Sequence, residues 1–201
     1  MSYLHHYLGL LGCMLFMIAV PLTIIRQPRY SRKLVTVAIF GSMALAIMPV
    51  YDLVLAAYVR AGLGNLSITS MVMLCFMIAS AYTGQQYLAA ERKHQLYQCV
   101  IVGALIVYPT GLGLSLYDGY ALGYSSWLLL LLLAACTGIY LWRQVFLIPA
   151  LILAAVSAYL LNAMESDNLW DYLLDPWITL VACWHLVTQV TRLLRLRRGN
   201  G

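Results

Sequence analysis

Charge is what this sequence has least of. Its 201 residues include 12 Lys or Arg and 7 Asp or Glu, 9% of the chain, where a soluble domain runs near ~25%. So few charged side chains cannot clothe a water-exposed globule. Disorder is excluded as well, because it needs low hydrophobicity and high charge. The five cysteines are scattered singly through apolar stretches, which excludes a disulfide scaffold and reads as free packing thiols. No Walker A loop, Rossmann glycine pattern, CxxC or H-E-x-x-H is present. No Lys or Arg precedes the first apolar run, and the basic cluster follows it, so that run is expected to stay as an anchor rather than be cleaved.

What the sequence does have is apolar length. Hydrophobic residues make up 63% of it, and the mean hydropathy is +0.84. Crossing a bilayer takes about 20 apolar residues per helix. Seven stretches qualify, roughly Tyr3–Ile25, Leu34–Val59, Leu66–Ala89, Tyr97–Leu116, Tyr124–Trp142, Val145–Ala163 and Trp177–Val190. Residues 124–163 as one helix would make a rod of about 60 Å, twice the ~30 Å hydrocarbon thickness, so a turn is expected at Arg143 and Gln144. The expected fold is all-α: one integral membrane domain over 1–201, a bundle of seven helices.

Basic residues set the orientation, since Lys and Arg accumulate on the cytoplasmic side. Arg26, Arg29, Arg32, Lys33, Arg92, Lys93, Arg143, Arg192, Arg195, Arg197 and Arg198 all follow odd-numbered stretches, which leaves Arg60 alone at the opposite face. The N-terminus is then outside and the C-terminus cytoplasmic. The arginine-rich tail is first an orientation signal, with anionic lipid contact as a secondary effect. Short loops and the lack of an appended domain point to a bacterial cytoplasmic membrane.

The acidic residues mirror this pattern. Apart from Glu91, all six fall at the outer face: Asp52, Asp118, Glu165, Asp167, Asp171 and Asp175. His5, His6 and several tyrosines, Tyr51 and Tyr117 among them, accompany them. Asp52 stands out, because it lies about 10 Å inside the end of the second stretch if that stretch is one helix, and a carboxylate at that depth is a functional candidate. Tyr108, Pro109, Gly111 and Gly113 interrupt the fourth stretch, either as a proline kink or as backbone lining a cavity. Asp118 with Gly119 forms a turn pair.

The loop from Glu165 to Pro176 can form a short interfacial helix. Asp167, Asp171 and Asp175 recur at i, i+4 and i+8, so on one helix they would share a side and repel. A cation, a basic partner or a raised pKa would relieve that. Asp167 can cap the short helix and Asp175 the last one, with Pro176 at its first position. That leaves Asp171 and Glu165 without a local role. Gly9 and Gly12, and Ser80 and Gly84, suggest close helix contacts. Asn65 heads a glycosylation sequon expected to be unused against the membrane.

Two functions compete. One is a binding or accessory component of the cell envelope, whose outward acidic and aromatic cavity (His5, His6, Tyr51, Tyr117, Asp118) takes a cationic group, a metal ion or another envelope protein. The other is an enzyme acting on a lipid-linked substrate, with Asp52, Asp171 and Glu165 as catalytic candidates. A small transporter is third, since no charge is expected at the bilayer midplane. A divalent metal is the one cofactor the carboxylates and imidazoles invite. Haem is disfavoured because His185 lacks a second ligand at its depth. Membrane lipids are expected partners and nucleic acid is not.

Overall fold

The computed structural model describes residues 2–25, 32–114, 118–124 and 127–199. They are mostly helical: α1 (Ser2–Ile24), α2 (Arg32–Ala46), a hairpin of β1 (Pro49–Val50) and β2 (Leu53–Val54), α3 (Leu55–Leu63), α4 (Ile68–Thr83), α5 (Ala90–Gly111), a 3-10 turn (Tyr120–Gly123), α6 (Trp127–Trp142), α7 (Leu147–Leu160), α8 (Leu169–Leu173) and α9 (Pro176–Gly199). Each apolar stretch of the sequence contains a helix. Among the described residues only α1, over His5–Ile24, is both long and apolar enough to cross a membrane, while α4, α6 and α7 are apolar but shorter.

The boundaries follow local chemistry. Between α6 and α7 the chain turns where the polar pair predicts, with Gln144 in the left-handed region at φ 57° and Val145 N–H bonded to Tyr140 C=O. Ser67 caps α4 by accepting from Ser70 N–H, and Gly84 ends it in a left-handed conformation at φ 76°. Gly84 is thus a helix terminator rather than a packing position. Several ends depart from the expected ranges: α4 stops at Thr83, six residues short of Ala89, and two helices run longer than expected. The fifth helix begins at Ala90, seven residues before Tyr97, and α9 runs to Gly199 rather than stopping at Val190. Both extensions hold basic residues, which favour helix almost as well as leucine does.

The second stretch is corrected most. It is not one helix. α2 ends at Ala46, because Pro49 disfavours helical backbone at the residue before it. The chain instead makes a hairpin pairing Pro49 with Val54 and Val50 with Leu53, with Tyr51 and Asp52 as its two-residue tip. Tyr51 takes a left-handed φ of 52° and is 95% exposed. Tyr58 donates to Val50 C=O and ties the hairpin to α3.

Packing is built around four groups of buried side chains, one of which, Ile18 and Leu22 of α1 with Val35 of α2, joins the first two helices. Val107 of α5, Leu129 of α6, Ile148, Ile152 and Ala155 of α7, and Leu169 to Leu173 of α8 form the largest. Leu96, Val100, Ile178 and Ala182 pack α5 against α9. Ala19, Leu66, Met71 and Leu74 join α1 to α4. Gly12 faces the same residues, and a Cβ there would meet Leu66 and Met71 at ordinary contact distances of 3.5 and 3.7 Å, so the packing does not require glycine.

Candidate functional site

The starts of α1, α4, α8 and α9 and the ends of α3 and α5 meet at one end of the bundle. Glu165, Asp171 and Asp175 gather there, each held by its own network.

The deepest is centred on Asp175, which is 4% exposed. Its Oδ1 accepts from Ile178 N–H at 2.8 Å and so caps α9, as the Asp-Pro pair predicts. Its Oδ2 accepts from Ser67 N–H at 2.8 Å and from Ser67 Oγ at 2.7 Å. One carboxylate therefore fastens the first turns of α4 and α9 together. Local spacing carried the first role; the second joins residues 108 apart.

Arg60 centres the second. It is not a lone cation, because its Nη2 donates to Glu165 Oε1 at 2.7 Å and its Nε to Asn65 Oδ1 at 2.7 Å. Asn65 Nδ2 reaches the other Glu165 oxygen at 3.4 Å, and His6 Nδ1 lies 3.3 Å from Arg60 Nη1. The guanidinium's hydrogen bond holds the Glu165 carboxyl below the usual glutamate range, against a smaller opposing effect of burial. Gly9 leaves room for this contact, since a Cβ there would push the ends of the Arg60 and Asn65 side chains aside. The Asn65 amide is committed to the network.

Asp171 centres the third. Tyr120 donates to its two oxygens at 3.2 and 3.0 Å, and Ser166 Oγ donates to Oδ2. Burial, then the Asp171 charge and hydrogen bond, push the Tyr120 phenol further up, so it stays protonated as a donor. Trp170 Nε1 donates to Gly119 C=O, and Asn168 Nδ2 to Tyr120 C=O. These bonds pin the 3-10 turn against α8. Asp118 stabilises the same turn by accepting from Ala121 N–H.

A cavity of about 480 Å³ opens beside this third network. Asp171, Tyr120, Tyr108 and Trp170 line it, with Asn65 and Ser166 at its polar rim and Asp175 in its wall. Pro109 does not break α5, which continues to Gly111; Thr110 Oγ1 bonds the carbonyls of Ile106 and Val107. The fourth stretch is thus a proline-containing helix end that also lines a cavity.

Several expectations change here. Asp52 is exposed at the hairpin tip and joins neither Glu165 nor Asp171. Its supposed depth assumed an unbroken helix. Asp167, Asp171 and Asp175 do not share a helical face, because α8 spans only Leu169–Leu173. Asp167 is exposed and Asn168 caps α8 in its place, accepting from Trp170 N–H. The repulsion that seemed to need a cation is relieved by separate donors. Among the described residues no group of three His, Cys, Asp or Glu is placed to hold a metal ion. His5 is half-buried and His6 exposed; Tyr51 is with Asp52 on the hairpin, and Tyr117 lies outside the described residues.

His185 does have a histidine at its level. The His94 ring lies 5.8 Å from it and Tyr97 4.9 Å from it, centroid to centroid. The early start of α5 places His94 inside the helix rather than in a loop. Each imidazole Nε2 meets a glutamine one turn on, Gln98 and Gln189, at 3.1 Å. The five cysteines are free. Comparison of the chain with family models, with curated proteins and with solved structures finds no match.

Proposed function

We propose that this chain is a multi-pass protein of a bacterial cytoplasmic membrane, with its N-terminus outside, and that its outer cavity binds a cationic group as a binding or accessory component of the cell envelope. The membrane placement rests on the composition, the one-sided distribution of Lys and Arg, and the exposed apolar faces. Val37 and Phe40 on α2 and Trp127 and Leu131 on α6 are each more than 60% exposed, which a bilayer accommodates and water does not.

The ligand chemistry rests on one observation. The cavity's charged lining consists of two carboxylates, Asp171 and Asp175, with no Lys, Arg or His among the described lining residues. Arg60 stands nearby but is held by Glu165. Tyr108, Tyr120 and Trp170 add aromatic faces, which attract cations by their quadrupole. Asp175 has its charge met by three donors from helix starts, while Asp171 faces the cavity with two hydroxyls. An ammonium group within reach of Asp171 would complete it. An enzyme acting on a lipid-linked substrate is the weaker reading, because its three candidate carboxylates do not converge: Asp52 is exposed on the hairpin and Glu165 is paired with Arg60, which leaves Asp171.

Titrating the full chain in mild non-ionic detergent with tetramethylammonium tests this. Calorimetry is expected to show binding that weakens about ten-fold or more in Asp171→Asn, which keeps an acceptor for Tyr120 and removes the charge. Equal affinity for wild type and variant would sink the cation-binding reading.

A further inference from the structure

A second cavity, of about 260 Å³, lies between α1, α4, α5 and α9. We propose that it holds one acyl chain of an anionic phospholipid drawn from the cytoplasmic leaflet, with the lipid phosphate at Lys93. This rests on the membrane placement above but not on the cation site.

Shape and chemistry agree on this occupant. Ala19 of α1, Leu74 and Met77 of α4, and Val181 of α9 make apolar walls. Along α4 the lining runs from Ser70 to Ser80, roughly 15 Å at helical rise. That is half the ~30 Å hydrocarbon core, the depth one leaflet's chains fill. Lys93 and Tyr97, from the beginning of α5, form the polar mouth. Lys93 is exposed and close to the basic residues that mark the cytoplasmic side. No Asp or Glu is among the described lining residues, so the mouth is complementary to a phosphate and repels no anion. The other polar walls are mostly self-satisfied: Thr23 donates to Val20 C=O and Ser80 to Phe76 C=O, which leaves them apolar in effect. Ser70 and Trp177 line its far end. The buried Ser70 hydroxyl has no partner, a cost the fold bears with or without a lipid.

The test uses the full chain in vesicles of phosphatidylcholine doped with a phosphatidylglycerol carrying a diazirine in its acyl chain. Photolabelled peptides are mapped by mass spectrometry, and a phosphatidylcholine diazirine analogue serves as control. Labelling within residues 70–80 of α4 and 177–181 of α9 is expected to favour the anionic probe by about five-fold, the size of one basic contact with an anionic lipid surface. Lys93→Gln should abolish that preference, and its exposed position leaves folding intact. Met77→Trp, which fills the slot, should reduce labelling by both probes. Equal labelling by the two lipids in wild type, or a preference that survives Lys93→Gln, overturns the site. So does label confined to outward residues such as Val37 and Leu131. Outward labelling without cavity labelling rejects the lipid site while leaving the membrane placement standing. No labelling by either probe at any position rejects both.

Discussion

Two segments interrupt the apolar helices with carboxylates, and they have opposite fates. At the hairpin between α2 and α3, Asp52 sits at an exposed tip with no side-chain partner among the described residues. Between α7 and α9, Glu165, Asp171 and Asp175 are each held by donors from elsewhere in the chain. The difference is one of what the backbone leaves open. A two-residue hairpin pairs with itself and offers neighbouring elements almost nothing. A helix start offers unpaired N–H groups that a carboxylate can take up. Asp175 becomes structural by taking up such helix-start N–H groups, Glu165 and Asp171 by meeting side-chain donors that packing brings to them, and Asp52 stays exposed where the hairpin turns.

Removing the convergent carboxylate should therefore have the largest effect. Asp175→Ala would leave Ser67 N–H, Ser67 Oγ–H and Ile178 N–H without their acceptor in a buried place. Hydrogen bonds to a charged group and a lost helix cap together put the cost at about 3 kcal/mol. Thermal unfolding in detergent should show a clear fall in melting temperature, and Asp175→Asn should recover part of it. A melting temperature within error of wild type for the alanine variant would remove the contrast between the two segments.

A smaller effect belongs to Glu165, whose side chain is 56% exposed. The Arg60 hydrogen bond holds its folded pKa below the usual glutamate range. Stability from such a group is fully present above the unfolded value and is lost as pH falls through the lower folded one. Glu165→Gln should then cost less than about 1 kcal/mol at neutral pH. That difference should shrink below pH 4.5 and in high salt. A cost that persists unchanged in acid would mean that packing, not charge, ties Glu165 to Arg60.

The contrast also shows what the sequence could carry. Signals written within a few residues were legible: the turn at Arg143 and Gln144, the Asp175–Pro176 helix start, and the Asp118–Gly119 turn. Each rests on a backbone preference that acts locally. The break in the second stretch was legible in principle, because Pro49 restricts Met48. Hydrophobic length hid it, since apolar residues suit a hairpin edge and a helix alike. The pairs that build the site were not legible. Arg60 with Glu165, Ser67 with Asp175 and Tyr120 with Asp171 join residues far apart in sequence, and only the packing of the helices brings them together. Counting charges per face grouped Asp52 and Asp167 with Glu165, Asp171 and Asp175, but it could not say which of them meets a donor.

The smallest expected effect is at Asp52, and it tests the comparison most directly. An unbroken helix would have made this the deepest carboxylate and a candidate for shared chemistry with Asp171 and Glu165. On the hairpin it faces solvent, where substitutions away from special features fall within about 0.5 kcal/mol. Asp52→Asn keeps the shape and removes one charge that no described residue answers. Melting temperature and tetramethylammonium affinity should both match wild type, while Asp171→Asn loses affinity in the same assay. If Asp52→Asn lowered the affinity as much as Asp171→Asn does, the hairpin tip would have to reach the cavity when ligand is bound. The two segments would then form one site, and their separation would describe only the empty protein.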